Sequence, residues 1–139
     1  MAASVSTEKK QKTTITTLLN VRRGAAAIDF YTRAFGASVL SRMDGDDGSV
    51  VAHLAVGDGD FWLADESVPQ QNLSPESLGG SSMRMVLLVD DPRAVFDQAV
   101  GAGASSICPV QDESYGWRVG RVVDPFGHHW EIGKPLSES

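Results

Sequence analysis

A single cysteine, Cys108, stands in this 139-residue chain, so no internal disulfide can form. That suits a reducing cytoplasm and sets aside the small secreted scaffolds held by cystine bridges. No apolar run approaches the roughly 18–20 residues that a membrane helix needs. Residues 1–12 are polar, carry Lys9, Lys10 and Lys12, and lack the apolar core of a secretory signal. They read as a flexible tail. No run of basic residues follows the tail, and the formal net charge is −6. An acidic chain attracts polyanions poorly, so nucleic acid is not an expected partner, nor is a membrane. Also missing are a glycine-rich phosphate loop, a metalloprotease helix motif and a nucleophile elbow. Their absence argues against a nucleotide-dependent enzyme or a serine hydrolase.

What remains is enough for one packed domain. Hydrophobic residues make up 42% of the chain, too many for a disordered segment. From Thr13 to Val21 apolar residues alternate, with Ile15, Leu19 and Val21 on one parity, and β-branched residues are common. Period two predicts a strand. Gly24 to Phe35 repeats Ile28, Tyr31 and Phe35 at helical spacing, and Gly36 supplies a stop. Strands follow at Ser38 to Met43, Ser49 to Val56 and Asp60 to Asp65. The acidic turn Gly45-Asp46-Asp47-Gly48 lacks the spacing and closing glutamate of a calcium loop, so it reads as a solvated hairpin turn.

Residues 67–82 are rich in Ser, Pro, Gly and Gln and read as a linker. The order then recurs. A strand runs from Arg84 to Val89, with Met85, Leu87 and Val89 on one parity. Asp91 caps a helix that has Pro92 at its first position and buries Val95, Phe96, Ala99 and Val100. Strands follow at Ala104 to Pro109, Trp117 to Val123 and His128 to Gly133. Phe35-Gly36-Ala37-Ser38-Val39 answers Ala102-Gly103-Ala104-Ser105-Ser106 at the helix-to-strand junction, and an offset of about 68 residues relates the two copies. The expected fold is therefore α+β: a first β-α-β-β-β module over 13–66, the linker, a second over 83–134, and a short tail at 135–139.

At this point the residues resemble a known family. Val123-Asp124-Pro125-Phe126-Gly127-His128-His129-Trp130-Glu131 is similar to the closing motif of the vicinal oxygen chelate superfamily, which holds glyoxalase, bleomycin-resistance and dioxygenase relatives. Ala25-Ala26-Ala27-Ile28-Asp29-Phe30-Tyr31 with Ala34-Phe35-Gly36-Ala37 resembles its first helix. Asn72-Leu73-Ser74-Pro75, Leu78-Gly79-Gly80 and Tyr115-Gly116-Trp117-Arg118-Val119-Gly120 point to the small bacterial glyoxalase-like branch. The resemblance implies curved mixed sheets around a cup, helices on the outer face, and commonly a homodimer. Thr16, Leu18, Asn20, Arg84, Val86 and Leu88 would then face the cup.

The resemblance also implies a divalent metal held from the first and last strands of each module. Carried over by position, those sites read Thr16, Leu63, Arg84 and Glu131. Only Glu131 matches. Thr16 is a poor ligand, Leu63 is none, and Arg84 repels a cation. One carboxylate falls short of the three or so protein ligands a catalytic metal takes, so no cofactor is expected, with a divalent metal as the alternative. Arg84 and Glu131 instead form a buried ion pair, or leave Arg84 to bind an anionic group or to sit at a solvated strand end.

Other residues complete the expected site. His129 shares the parity of Glu131 and lines the cup, whereas His128 faces away. His53 either faces the cavity or is structural. Phe61 reaches the cavity, while Trp62 and Trp130 pack in the core. Tyr115 and Trp117 either clamp a planar ligand or pack a dimer edge. Cys108, with no histidine fixed near it, is a weak nucleophile candidate. The expected ligand-binding set is thus Arg84, Glu131, His129, Phe61, Tyr115, Trp117 and Thr16. Two functions stand open: a protein that binds a small organic molecule without a metal, and a metal-dependent lyase, isomerase or dioxygenase of glyoxalase type.

Overall fold

The computed structural model describes residues 8–137. The expected tails fall partly outside them, at residues 1–7 and 138–139. The elements are β1 (Leu18–Val21), α1 (Gly24–Phe35), β2 (Ser38–Asp44), β3 (Val50–Val56), β4 (Gly59–Asp65), α2 (Pro75–Leu78), β5 (Arg84–Leu88), α3 (Pro92–Ala102), β6 (Ser105–Asp112), β7 (Trp117–Val123) and β8 (His129–Pro135). They form two four-stranded mixed sheets, ordered β1-β4-β3-β2 and β5-β8-β7-β6. In each sheet the first strand of the module lies parallel to the last, and the remaining pairs are antiparallel. The β-α-β-β-β order therefore occurs twice, as the sequence pattern requires. Among the described residues no helix is long and apolar enough to cross a membrane.

Local chemistry sets the helix ends. Gly36 adopts a left-handed backbone, φ 69°, and donates its N–H to the Thr32 carbonyl at 3.1 Å. A side chain there would add strain at the stop. The Asp91 carboxylate accepts from the Ala94 N–H at 3.2 Å and caps α3, with Pro92 opening the helix.

The two helices share one core. Ala27, Ile28, Phe30, Tyr31 and Ala34 of α1 are buried, as are Phe96 and Ala99 of α3. The Gln98 amide donates to the Arg33 carbonyl, 2.8 Å, tying α3 to the end of α1. Val50, Ala52 and Leu54 on β3 alternate inward under the helices, and so do Trp130 and Ile132 on β8. Each sheet thus has a helix-covered face and an open one.

Several expectations need correction. The first strand begins at Leu18, not Thr13, and Ile15 is fully exposed rather than inward-facing. Its ladder with β4 spans Leu18 to Val21, with the Thr17 carbonyl still accepting the Trp62 N–H at 2.8 Å, and residues 13–16 lie beyond that pairing. Val100 is 40% exposed rather than buried, at the margin of the α3 stripe. Strand β6 continues past Pro109 to Asp112, with register irregularities between Ser106 and Gln111 that let an edge strand carry a proline. The linker is also ordered. It holds a 3-10 turn at Val68–Gln70 and helix α2, and Glu66 accepts from the Ser74 N–H and the Ser77 hydroxyl, both at 2.9 Å.

A buried carboxylate also joins the modules. Asp124, 4% exposed, sits in the turn between β7 and β8. One of its oxygens accepts the Phe126 and His128 N–H groups, each at 2.9 Å. The other accepts the Trp130 indole N–H at 2.9 Å and the Tyr31 hydroxyl. Tyr31 belongs to the first module, so this bond crosses between them. Burial, then the adjacent carboxylate, push the Tyr31 hydroxyl well above its ordinary pKa, and it stays a donor.

An unmade bond to a buried polar group costs about 1–3 kcal/mol. Tyr31→Phe, which removes one of four donors, is expected to lose about that much. Asp124→Ala orphans all four donors and should lose more. Urea unfolding measures both; equal losses, or none, contradict this account of the joint.

Candidate functional site

The open face of the second sheet collects its polar residues by strand register. Glu131 on β8 lies directly opposite Arg121 on β7 and beside Val86 on β5. Arg121 in turn lies opposite Cys108 on β6. One step along, His129 lies beside Arg84. Side chains two apart on a strand share a face, so Arg84, His129, Arg121 and Glu131 form one cluster.

Within it, Arg84 donates to Glu131 through Nη1–Oε1 at 3.2 Å. The expected ion pair is therefore present, but it is not buried: the Arg84 side chain is 55% exposed and that of Glu131 23%. Arg121 differs. It is half-buried, and among the described residues no hydrogen bond or ion pair engages it. Its strand neighbour Arg118 turns to the other face and pairs with Asp112 at 2.7 Å. That hydrogen bond holds the Asp112 carboxyl below its ordinary range.

Two adjoining recesses open on this face. The first, about 260 Å³, is lined by Ser81, Ser82, Met83, Arg84, Arg121 and His129. The second, about 220 Å³, shares both arginines and adds Tyr115, Cys108, Val119, Glu113 and Glu131 among its walls. The Nδ1 of His129 is buried and has no partner among the described residues. His128 points the other way, its Nε2 2.9 Å from the Asn20 carbonyl.

The structure brings Arg84, Glu131, His129 and Tyr115 to these two recesses and places the other three candidates elsewhere. Phe61, expected to reach the cavity, is 3% exposed and packs edge-on against Tyr31 and Trp130. Its neighbour Trp62, expected in the core, faces outward on the open side and stacks on His53, ring centroids 4.2 Å apart and planes parallel. His53 Nε2 also lies 2.5 Å from Asp60. The cause is register: buried Phe61 and Leu63 correspond to Trp130 and Ile132, so Trp62 is the partner of Glu131. The last strands are related by an offset of 69 residues, one more than the repeat as a whole, and a one-residue difference swaps both faces. Thr16 is exposed and precedes β1. Trp117, at the start of β7, lines neither recess.

Arg121 and the two linker serines are the residues that sequence reasoning passed over. The arginine was legible. Asp124 to Gly127 form a tight turn, and pairing back from it sets Arg121 against Glu131. The serines carried no such signal, because a composition-biased loop does not show where it returns.

Residues 14–132 match the model of the Glyoxalase/Bleomycin resistance protein/Dioxygenase superfamily. The chain belongs to that superfamily. An uncharacterized protein of Mycobacterium bovis is 41% identical over 125 residues, covering 86% of this chain and 82% of its own. A solved structure of an Arabidopsis thaliana gene product superposes with a TM-score of 0.72 at 26% identity, covering 89% of this chain and all of the other. TioX from Micromonospora sp. ML1 gives 0.68 at 26% identity, covering 90% of this chain and all of the other.

Membership raises the superfamily's metal. With the register corrected, its four positions read Thr16, Trp62, Arg84 and Glu131. An indole and a guanidinium donate no lone pair to a cation, and the remaining carboxylate is already shared with Arg84. Among the described residues no group of three or more His, Cys, Asp or Glu stands together to hold an ion. These side chains do not fit the group.

Exposed ion pairs contribute about 0–1 kcal/mol. Glu131→Gln is therefore expected to change unfolding stability by under about 1 kcal/mol in a urea titration. A loss above about 2 kcal/mol would show that the pair is structural after all.

Proposed function

We propose that this superfamily member binds a small organic molecule on the open face of its second sheet, without the superfamily's metal. The observation that carries the reading is the replacement of the metal positions by an indole and an Arg84–Glu131 pair. A face without metal-ligating side chains at those positions, but with two adjoining recesses, is suited to recognition. An exposed, unpaired Cys108 accords with the reducing cytoplasm proposed for the chain.

We further propose a homodimer in which the open faces are covered. Leu18, Met43, Val51, Val86 and Leu88 are each at least 41% exposed on those faces. Such large side chains gathered on two sheet faces mark an interaction surface. The competing reading is a metal-dependent lyase, isomerase or dioxygenase, kept open by the Glu131 carboxylate and the adjacent His129.

Two measurements test this. In a thermal-shift screen, small aromatic and aliphatic molecules should raise the melting temperature, while nickel, zinc, iron and manganese should not. A ligand at about a hundredfold its Kd stabilises by about 2.7 kcal/mol. Stoichiometric metal in protein purified without chelator, lost in Glu131→Ala, would overturn the metal-free reading. Sedimentation velocity is expected to show a dimer, and a monomer at every concentration removes the pairing proposal.

A further inference from the structure

The two recesses of the second sheet share Arg84 and Arg121 and differ in the other groups that line them. The first presents donors: the guanidiniums of Arg84 and Arg121, the hydroxyls of Ser81 and Ser82, and the imidazole of His129, with no carboxylate in its lining. The second adds Glu113 and Glu131, along with the ring of Tyr115 and the side chain of Val119. A ligand lying across both would meet donors at one end, and an aromatic ring and acids at the other.

The charges within the cluster do not balance locally. Glu131 is engaged by Arg84 at 3.2 Å. Arg121 stands opposite Glu131 on the neighbouring strand, yet no ion pair within 4.0 Å or hydrogen bond engages it among the described residues. A half-buried guanidinium with five donors and no protein acceptor offers them to whatever fills the recesses it lines. This one is kept on a chain whose net charge is −6, where carboxylates are plentiful. The buried, unpartnered Nδ1 of His129 adds a second unmet polar group to the same wall. What the recess lacks is an acceptor, and a planar carboxylate matches a guanidinium fork with two parallel bonds.

We propose that the donor-lined recess takes the carboxylate of an aryl monocarboxylic acid. Arg121 makes the principal contact and Arg84 the supporting one. The ring extends into the adjoining recess toward Tyr115 and Val119. Glu113 and Glu131 line only that second recess, and their charge disfavours a carboxylate placed there. The proposal rests on the open face being a small-molecule site and adds the chemical class of what occupies it.

The test uses three probes of one shape: benzoate, neutral benzamide and cationic benzamidine, each titrated into the full chain by calorimetry. Benzoate is expected to bind about tenfold more tightly than benzamide, with benzamidine weakest, and only benzoate should weaken as salt rises. In Arg121→Gln the benzoate affinity should fall to the benzamide level, while benzamide binding stays unchanged and reports an intact fold. Arg121→Lys should recover part of the loss, as a point charge without the planar fork. Benzamide binding as well as benzoate, or a benzoate preference that survives in Arg121→Gln, overturns the carboxylate assignment and leaves the small-molecule reading standing. Failure of all three probes also overturns the assignment, and the broader ligand screen then decides the reading beneath it.

Discussion

Four donors from three places in the chain converge on the carboxylate of Asp124, and the relation between the two modules depends on that convergence. Two backbone N–H groups shape the β7–β8 turn. The Trp130 indole fixes the last strand against the core. The Tyr31 hydroxyl brings in the first module's helix. A buried anion is tolerable only when its lone pairs are used, and here the partners that satisfy it also define the register of β8. The positions of His129 and Glu131 on the open face follow from that register. Aromatic packing reinforces the joint, with Phe35 and Phe61 both against Trp130 at 4.7 and 5.5 Å between ring centroids.

Strand alternation then divides every residue between two environments. Inward positions are apolar and fill one core shared by both modules. Outward positions are free to differ, and the two modules have used that freedom differently. The first carries His53 stacked on Trp62. The second carries two arginines, a histidine and a glutamate. The duplication keeps the scaffold and relaxes the face, so membership in the superfamily fixes the architecture more firmly than the chemistry.

The fold was legible wherever local signals agreed. Helix α1 runs from Gly24 to Phe35, as apolar spacing and the Gly36 stop imply. Asp91 caps α3 as its place before Pro92 suggests. Legibility failed where the deciding partner was distant. The alternation from Thr13 onward reads as strand, but residues 13–16 lie beyond the pairing of β1 with β4. Phe61 and Trp62 are both large and aromatic, so period two alone gave no reason to prefer one for the core. Tertiary packing against Tyr31 decided it. The pairing of Arg84 with Glu131 was readable because parallel strands of one module bring those positions together, whereas its exposure depended on how much of the open face the rest of the chain covers.

The ordered segment between the modules has a thermodynamic consequence. Ser81, Ser82 and Met83 form one wall of the donor-lined recess, and they follow directly on a loop that is anchored. Glu66 holds Ser74 and Ser77, Arg22 reaches Ser77 at 3.2 Å, and Pro75 packs so closely on the β7–β8 turn that a Cβ at Gly127 would fall 2.6 Å from it. The upstream anchor means that much of the wall's conformational entropy is lost when the chain folds, not when a ligand arrives. A preorganised wall leaves more of each contact's free energy available for affinity, which would favour the small ligand proposed for that recess.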